Sequence, residues 1–351
     1  MKYLYFIILY GLEKINGERS IFSIYHLYKG KRSSQTIQDA KLFQLELLFG
    51  VIPGLKRDVL EAAIKELSNT AMIAQNEKES FIVTNKGKEY LQTFSLPQGL
   101  SGWRFSGDTK VFWERLSLTI QCLSYLIHHE PRFIPINRDQ NILQWVKLFL
   151  RRQAVSREQV ASHLYDELYS ILFKLDEKQS MIFVYKLTGI NRVGSTNDQI
   201  ANMLEMDVVQ VSIYFQSVLH ELLHQVEKFP TDFPLLAQLA TTITNKTVPL
   251  TQSTTKTLEL LMIGKSVEEI ASIRLLKKNT IEDHIVEIAL MNPSFDISPF
   301  LDEEKYVTIL ECIQTVKSNQ LKLIKQHLPV EASYFEIRLA LAKIGGAHGT
   351  T

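Results

Sequence analysis

Cysteine is almost missing: Cys122 and Cys312 are the two thiols in 351 residues, without CxxC spacing. That excludes a disulfide-knit secreted scaffold and fits buried thiols in a reducing cytoplasm, with a single disulfide as the alternative. Net charge is missing as well. Thirty-nine Lys plus Arg stand against 38 Asp plus Glu, leaving +1, so no whole-molecule field draws the chain to a polyanion and any nucleic-acid binding is local or weak. Long apolar runs are also lacking. The N-terminal KYLYFIILYGL begins like a signal peptide, with Lys2 ahead of an apolar stretch, but it has no small-x-small cleavage site. It is too short to span a bilayer and runs straight into Glu13 and Lys14, so it is expected to be a buried first helix with no membrane partner. No segment is low in complexity, and only Gly345 onward reads as frayed.

What is present is apolar mass and one pattern written twice. With 45% hydrophobic residues the chain can bury a sizeable core and is expected to divide into two or three domains. TNDQIANMLEMDVVQVSIYF from Thr196 and SVEEIASIRLLKKNTIEDHI from Ser266 share an Ile-Ala pair, Ile200-Ala201 and Ile270-Ala271. Apolar residues follow at matching offsets: Met206, Val211, Phe215 and Val218, then Leu276, Ile281, Ile285 and Ile288. This spacing predicts two short helices closing a small core across a tight turn, a helix-turn-helix. Thr196 with Gln199, and Ser266 with Glu269, have capping-box spacing just ahead of each Ile-Ala pair.

The expected fold is mainly α: a multi-domain helix-turn-helix protein with an N-terminal winged helix and a small β ribbon. Residues 1–97 read as the winged-helix-like domain. Helices to about Lys14, around Ile21 to Tyr28, from near Thr36, and through KRDVLEAAIKELSNTAMI precede two short strands about a polar turn in AMIAQNEKESFIVTNKGKEYL. Residues 98–230 read as a helical domain, with amphipathic helices at Thr109–His128, Asp139–Arg151 and about Ser156–Phe173, followed by the first repeated motif. Phe112, Trp113, Leu116, Trp145, Val146 and Phe149 fall at helical spacing and are expected in its core. The polar stretch from Thr241 to Ser253 marks a boundary, and residues 250–345 hold the second motif and a long helix from Asp302 to His327.

Three resemblances bear on function. LDEKQSMIFVYKL with the first motif resembles region four of bacterial sigma factors, which binds promoter DNA. In that family basic residues surround the buried aliphatic position, here Val211, whereas this chain has Ser212, Tyr214 and Ser217 and no Lys or Arg from Val193 to Glu227. Phosphate contacts by Lys and Arg supply most non-specific affinity, so this copy is expected to pack or to bind protein. TKTLELLMIGKSVEEIASIRLLKKNTIEDHIVEIA, with the terminal SYFEIRLAL, resembles the helicase-associated helix-turn-helix family of RecQ-like helicases. There Arg274, Lys277 and Lys278 form a basic turn, with Glu282, Asp283 and Glu287 expected to oppose it on the next helix. The whole architecture, with GKRSSQTIQDA near its start, resembles the stand-alone Firmicute YpbB family. That resemblance implies a separate subunit of a RecQ-like helicase that is short at its C-terminus.

Several motifs that suggest catalysis fail on spacing. HELLH, His220 to His224, is a literal HExxH, yet the extended metalloprotease positions fall on Glu227 and Pro230, and His220, Glu221 and His224 are expected on a solvated helix face. GKR at Gly30 and GKS at Gly264 have Tyr25 and Glu259 where a phosphate loop requires glycine. No catalytic constellation, cofactor or metal is expected. The expected role is a non-enzymatic, cytoplasmic accessory subunit that binds a RecQ-like helicase and assists its loading or action on DNA in replication or repair. Candidate DNA contacts are Lys56 and Arg57 at the winged-helix recognition helix, Lys86 and Lys88 after the wing, and Arg274, Lys277, Lys278 and Asn279 in the tail. The alternative is a transcription regulator reading an operator through Gln210, Gln216 or Asn279.

Overall fold

A computed structural model describes residues 2–76, 80–241, 250–316 and 318–347. It opens with α1 (Lys2–Ile15), α2 (Ile21–Tyr28), α3 (Ser34–Leu42) and α4 (Arg57–Asn69), then the strands β1 (Ile73–Gln75) and β2 (Phe81–Val83). Next come α5 (Asn85–Leu91), α6 (Gly102–Phe105), α7 (Asp108–Ile127), α8 (Gln140–Arg152) and α9 (Arg157–Leu172). These lead to α10 (Glu177–Tyr185), α11 (Asn197–Met203), α12 (Val208–Lys228) and α13 (Pro234–Ala240). The last six helices are α14 (Gln252–Met262), α15 (Val267–Arg274), α16 (Lys278–Met291), α17 (Glu303–Val316), α18 (Leu321–His327) and α19 (Tyr334–Ala347). The fold is mainly α, with one two-stranded antiparallel ribbon among the described residues, in which Ile73 faces Val83 and Gln75 faces Phe81.

The chain divides into two compact units. One comprises Met1–Ile7, Gly50–Pro53 and Tyr90–Lys246; the other comprises Ile8–Phe49, Gly54–Glu89 and Thr247–Thr351. Residues 1–97 therefore contribute to both, and the second unit draws on both ends of the chain.

In the first unit α12 packs against α6, α7, α9, α10 and α13. Phe112, Leu116, Val146 and Phe149 are buried in one core with Val218, Leu222 and Val226, and Trp113 and Trp145 pack at its edge, as their spacing predicts. The short α13 has Phe233 at its N-cap, which offers no side-chain acceptor. The buried Glu167 on α9 supplies one, accepting from the amides of Leu235 at 3.0 Å and Leu236 at 2.9 Å. At the other end Arg115 donates to the carbonyls of Leu239 and Thr241 while lying over the Trp145 ring. Acid at the N-terminus and base at the C-terminus both match the helix dipole, each such contact being worth about 0.3–2 kcal/mol.

The second unit is organised around α16, which packs against α3, α14, α15 and α19. Ile281, Ile285 and Ile288 are fully buried on it, and so is Glu287. That carboxylate accepts from the Thr251 amide and the Thr254 hydroxyl, both at 2.7 Å, and so ties down the start of α14. Its neighbours thus replace the water it gave up. Gly87 fits here because a Cβ would meet the Met72 carbonyl oxygen at 2.3 Å; α5 lies too close to the ribbon for any other residue.

Three expectations need revision. The helix expected from Asp302 to His327 is two helices, broken between Val316 and Leu321. Ser318 and Asn319 disfavour helix by offering local alternatives to backbone groups: the Asn319 amide donates to Glu18 and the Gln320 amide to the Ser318 hydroxyl. Asp283 does not oppose the basic turn but pairs with Arg338 on α19, and Glu287 faces α14. The centre of the wing turn (77–79), most of the 241–253 boundary (242–249) and the tail from 348 lie outside the described residues.

Candidate nucleic-acid interface

The two helix-turn-helix copies share one construction. In each the capping box forms in full: the Thr196 hydroxyl accepts from the Gln199 amide and the Gln199 side chain from the Thr196 amide, with Ser266 and Glu269 doing the same. Each turn after the first helix passes through a residue in the left-handed region, Glu205 at φ 52° and Leu275 at φ 52°. Each turn is then closed by the same bond, from the Met206 amide to the Ala201 carbonyl at 2.9 Å and from the Leu276 amide to the Ala271 carbonyl at 3.0 Å. Ile200, Ala201 and Val211 form a small buried core in the first copy, with Met206, Tyr214 and Phe215 packed on it. Ile270, Ile281 and Ile285 are fully buried in the second.

The copies differ in what covers the second helix. Along α12 no side chain from Val209 to Glu227 is exposed. Gln216, a candidate reader, donates to the Val51 carbonyl at 2.7 Å. Ser217 is buried and accepts from Gln179 at 2.8 Å. His220, expected at the surface, is 2% exposed. Its Nδ1 accepts from the Ser101 amide at 3.0 Å, its ring stacks on Phe105, and burial pushes its pKa down to about 4. The loop that covers it passes through Gly99 at φ 78°, where a Cβ would come within 3.0 Å of Glu221. Among the described residues no group of three His, Cys, Asp or Glu side chains is placed to hold a metal ion.

In the second copy α16 is covered from Thr280 onward, but its first turn is open: Lys277, Lys278 and Asn279 are exposed. Recognition helices commonly present their N-terminal residues to base edges, so this is the end that counts. Lys278 is bonded to Glu268 at 2.9 Å, which holds its ammonium pKa above the usual range. Arg274 turns inward. It donates to the Ser253 carbonyl and hydroxyl and to the Thr257 hydroxyl, beside His284, whose pKa falls through burial and then through Arg274 itself.

Lys56 and Arg57, exposed at the start of α4, and Lys86 and Lys88, exposed on α5, fall in the same unit as the tail residues. Arg57 is bonded to Glu61 at 2.7 Å and lies over the Phe22 ring. A further surface escaped the sequence reading. Tyr165, Tyr169 and Phe173 are 63%, 52% and 76% exposed along α9 and its C-cap, with rings stacked at 5.8 and 5.6 Å. Their i, i+4, i+8 spacing was the available signal; they lie opposite the buried Val160, Leu164, Leu168 and Ile171.

A family model described as a helix-turn-helix domain matches residues 253–341, from α14 into α19. Protein YpbB of Bacillus subtilis (strain 168) is 37% identical over 348 residues, covering 98% of each chain. The chain belongs to the YpbB family. Both α16 and the exposed turn at its start thus lie within the matched domain, whereas α12 lies outside it. No solved structure matches. No described helix is long and apolar enough to cross a membrane.

Proposed function

We propose that this YpbB-family protein is a non-enzymatic accessory subunit that binds a RecQ-like helicase and assists its loading or action on DNA in replication or repair, in the cytoplasm at the nucleoid. The resemblance of the tail to helicase-associated domains supplies the helicase class. The observation that carries the reading is the division of α16: its length lies in the core of its unit, and one exposed turn, Lys277 to Asn279, remains to touch DNA. A single turn with two lysines supports phosphate contact better than base readout, so placement on DNA falls to a partner. Lys56, Arg57, Lys86 and Lys88 add phosphate contacts, while Arg274 supports the fold of the turn from inside. Residues 1–97, 98–230 and 250–345 are read as functional modules, the middle one serving the protein partner through the Tyr165, Tyr169 and Phe173 ladder, since exposed aromatics are frequent interface anchors.

The test is co-purification with the RecQ-like helicase of the same genome. Together Tyr165→Ala, Tyr169→Ala and Phe173→Ala should abolish co-elution while leaving the melting temperature unchanged. If the unsubstituted protein neither co-elutes with the helicase nor alters its unwinding, the reading fails. In a salt titration on duplex DNA, Lys277→Gln and Lys278→Gln should each flatten the slope by about 0.9. A large preference for one sequence at physiological salt would instead favour a transcription regulator, for which Asn279 is the exposed base reader while Gln210 and Gln216 are not exposed.

A further inference from the structure

Within the second unit a cleft of about 480 Å³ opens among α3, α16, α18 and α19. Arg19, Gln38, Asp39, Asp283, Lys322 and Arg338 line it, and apart from Leu321 the remainder of its wall is polar as well. Its size suits a small molecule, and three cations and three carboxylates stand on its wall. Arg19 is bonded to Asp39 at 2.9 Å, Arg338 is paired with Asp283, and Lys322 is exposed.

Three buried atoms of this wall have no hydrogen-bond partner: Gln38 Nε2, Arg338 Nε and Asp39 Oδ2. Asp39 is 1% exposed, and a buried polar atom left unanswered destabilises the fold. A second chamber of about 20 Å³, lined by Arg19, Gln38 and Arg338, has room for a water. Asp39 does not line it, so a water there leaves Oδ2 unanswered. The three groups are thus two donors, which a water in that chamber can reach, and one acceptor, which it cannot, beside the Lys322 ammonium.

We propose that this cleft binds a small organic oxyanion, a phosphate ester or a carboxylate, that also carries a hydroxyl or amino group. The oxyanion accepts from Gln38, Arg338 and Lys322, and the hydroxyl or amine donates to Asp39. The buried atoms are screened by their own neighbours, so binding rotates the Gln38 and Arg338 side chains toward the cleft.

Thermal unfolding and calorimetry of the full chain would test this with ribose 5-phosphate and L-glutamate as probes. Inorganic phosphate, ribose and sodium chloride at matched ionic strength serve as controls. A saturable rise in melting temperature is expected with one of the two probes, the phosphate ester or the carboxylate identifying the ligand's source, and it should exceed every control. Lys322→Gln should leave the unliganded melting temperature unchanged and weaken binding about tenfold, the loss of one charge-assisted bond. Gln38→Leu removes an unanswered buried donor, so it should raise the unliganded melting temperature while weakening binding about as much. The proposal is overturned if neither probe gives a saturable shift beyond salt, if inorganic phosphate binds as tightly as the probe, or if binding survives both substitutions.

Discussion

Glu205 and Leu275 occupy the same place in the two helix-turn-helix copies, at the same φ of 52°, yet one copy encloses its second helix and the other leaves that helix's first turn open. The position after each turn carries the difference further. Asp207 caps α12, accepting from the Val209 amide, whereas Lys277 heads α16 without any side-chain cap. Caps, the left-handed residue and the closing amide bond are what the skeleton requires, and both copies keep them. Whether the skeleton can meet another molecule is decided outside the motif, by the loop through Ser101 in one case and by α3, α14 and α19 in the other. The absence of lysine and arginine from the first copy is therefore consistent with a helix enclosed within its unit.

The comparison breaks most visibly in the two cores. Ile281→Ala should cost about 2–5 kcal/mol and Val211→Ala about 2 kcal/mol in urea unfolding, because neither site lies near solvent. A negligible loss at either would mean that its copy is not packed as described.

Acid should weigh on both copies, since burial also lowers His284 in the second, and through His220 it should weigh more on the first. The folded pKa of His220, about 4, lies below the unfolded value near 6.5. The unfolded chain therefore binds the proton first as pH falls. The contribution of the neutral ring is complete above about pH 6.5 and is lost toward pH 4, on the order of 3 kcal/mol in all. Unfolding at pH 7 and pH 4.5 should show this, and His220→Phe should remove that part of the dependence. An unchanged acid profile in the variant would place the sensitivity elsewhere.

Smaller effects test the shared skeleton. Thr196→Ala and Ser266→Ala should each cost about 1 kcal/mol, and by similar amounts, since both remove the acceptor of a formed capping box. Leu275→Asn and Glu205→Asn should each gain roughly 0.5 kcal/mol, because asparagine tolerates the left-handed region better than either native residue. Gains at one site alone would show that the two turns differ in strain.

Much of this was legible in the chain itself. Many helix boundaries, though not the break within Asp302 to His327, both capping boxes, the ribbon and the Phe112 to Phe149 core follow from local spacing, because periodicity and caps act within a few residues. What escaped depends on residues far away in sequence. His220 reads as a surface residue until Ser101, 119 positions earlier, is seen to donate to it. Arg274 reads as a phosphate contact until Ser253 and Thr257 take up its guanidinium, and Glu287 reads as an opposing charge until Thr251 and Thr254 claim it. In each case a polar side chain on a helical face had a partner that no local pattern specifies. The aromatic ladder on α9 was a different oversight, since its spacing was visible and only its exposure was not.

The unit built from both ends of the chain has a consequence for synthesis. Residues 8–49 and 54–89 leave the ribosome well ahead of α16 and α19, so α3 finds those helices only after they have followed. Pairings so distant in sequence are slow to form, and until they do α3 keeps Ile37 and Ala40, buried in the finished protein, without their final cover. Chains interrupted before α16 should therefore aggregate or be degraded, and the tail expressed alone should lack the helix that one side of α16 was shaped to meet.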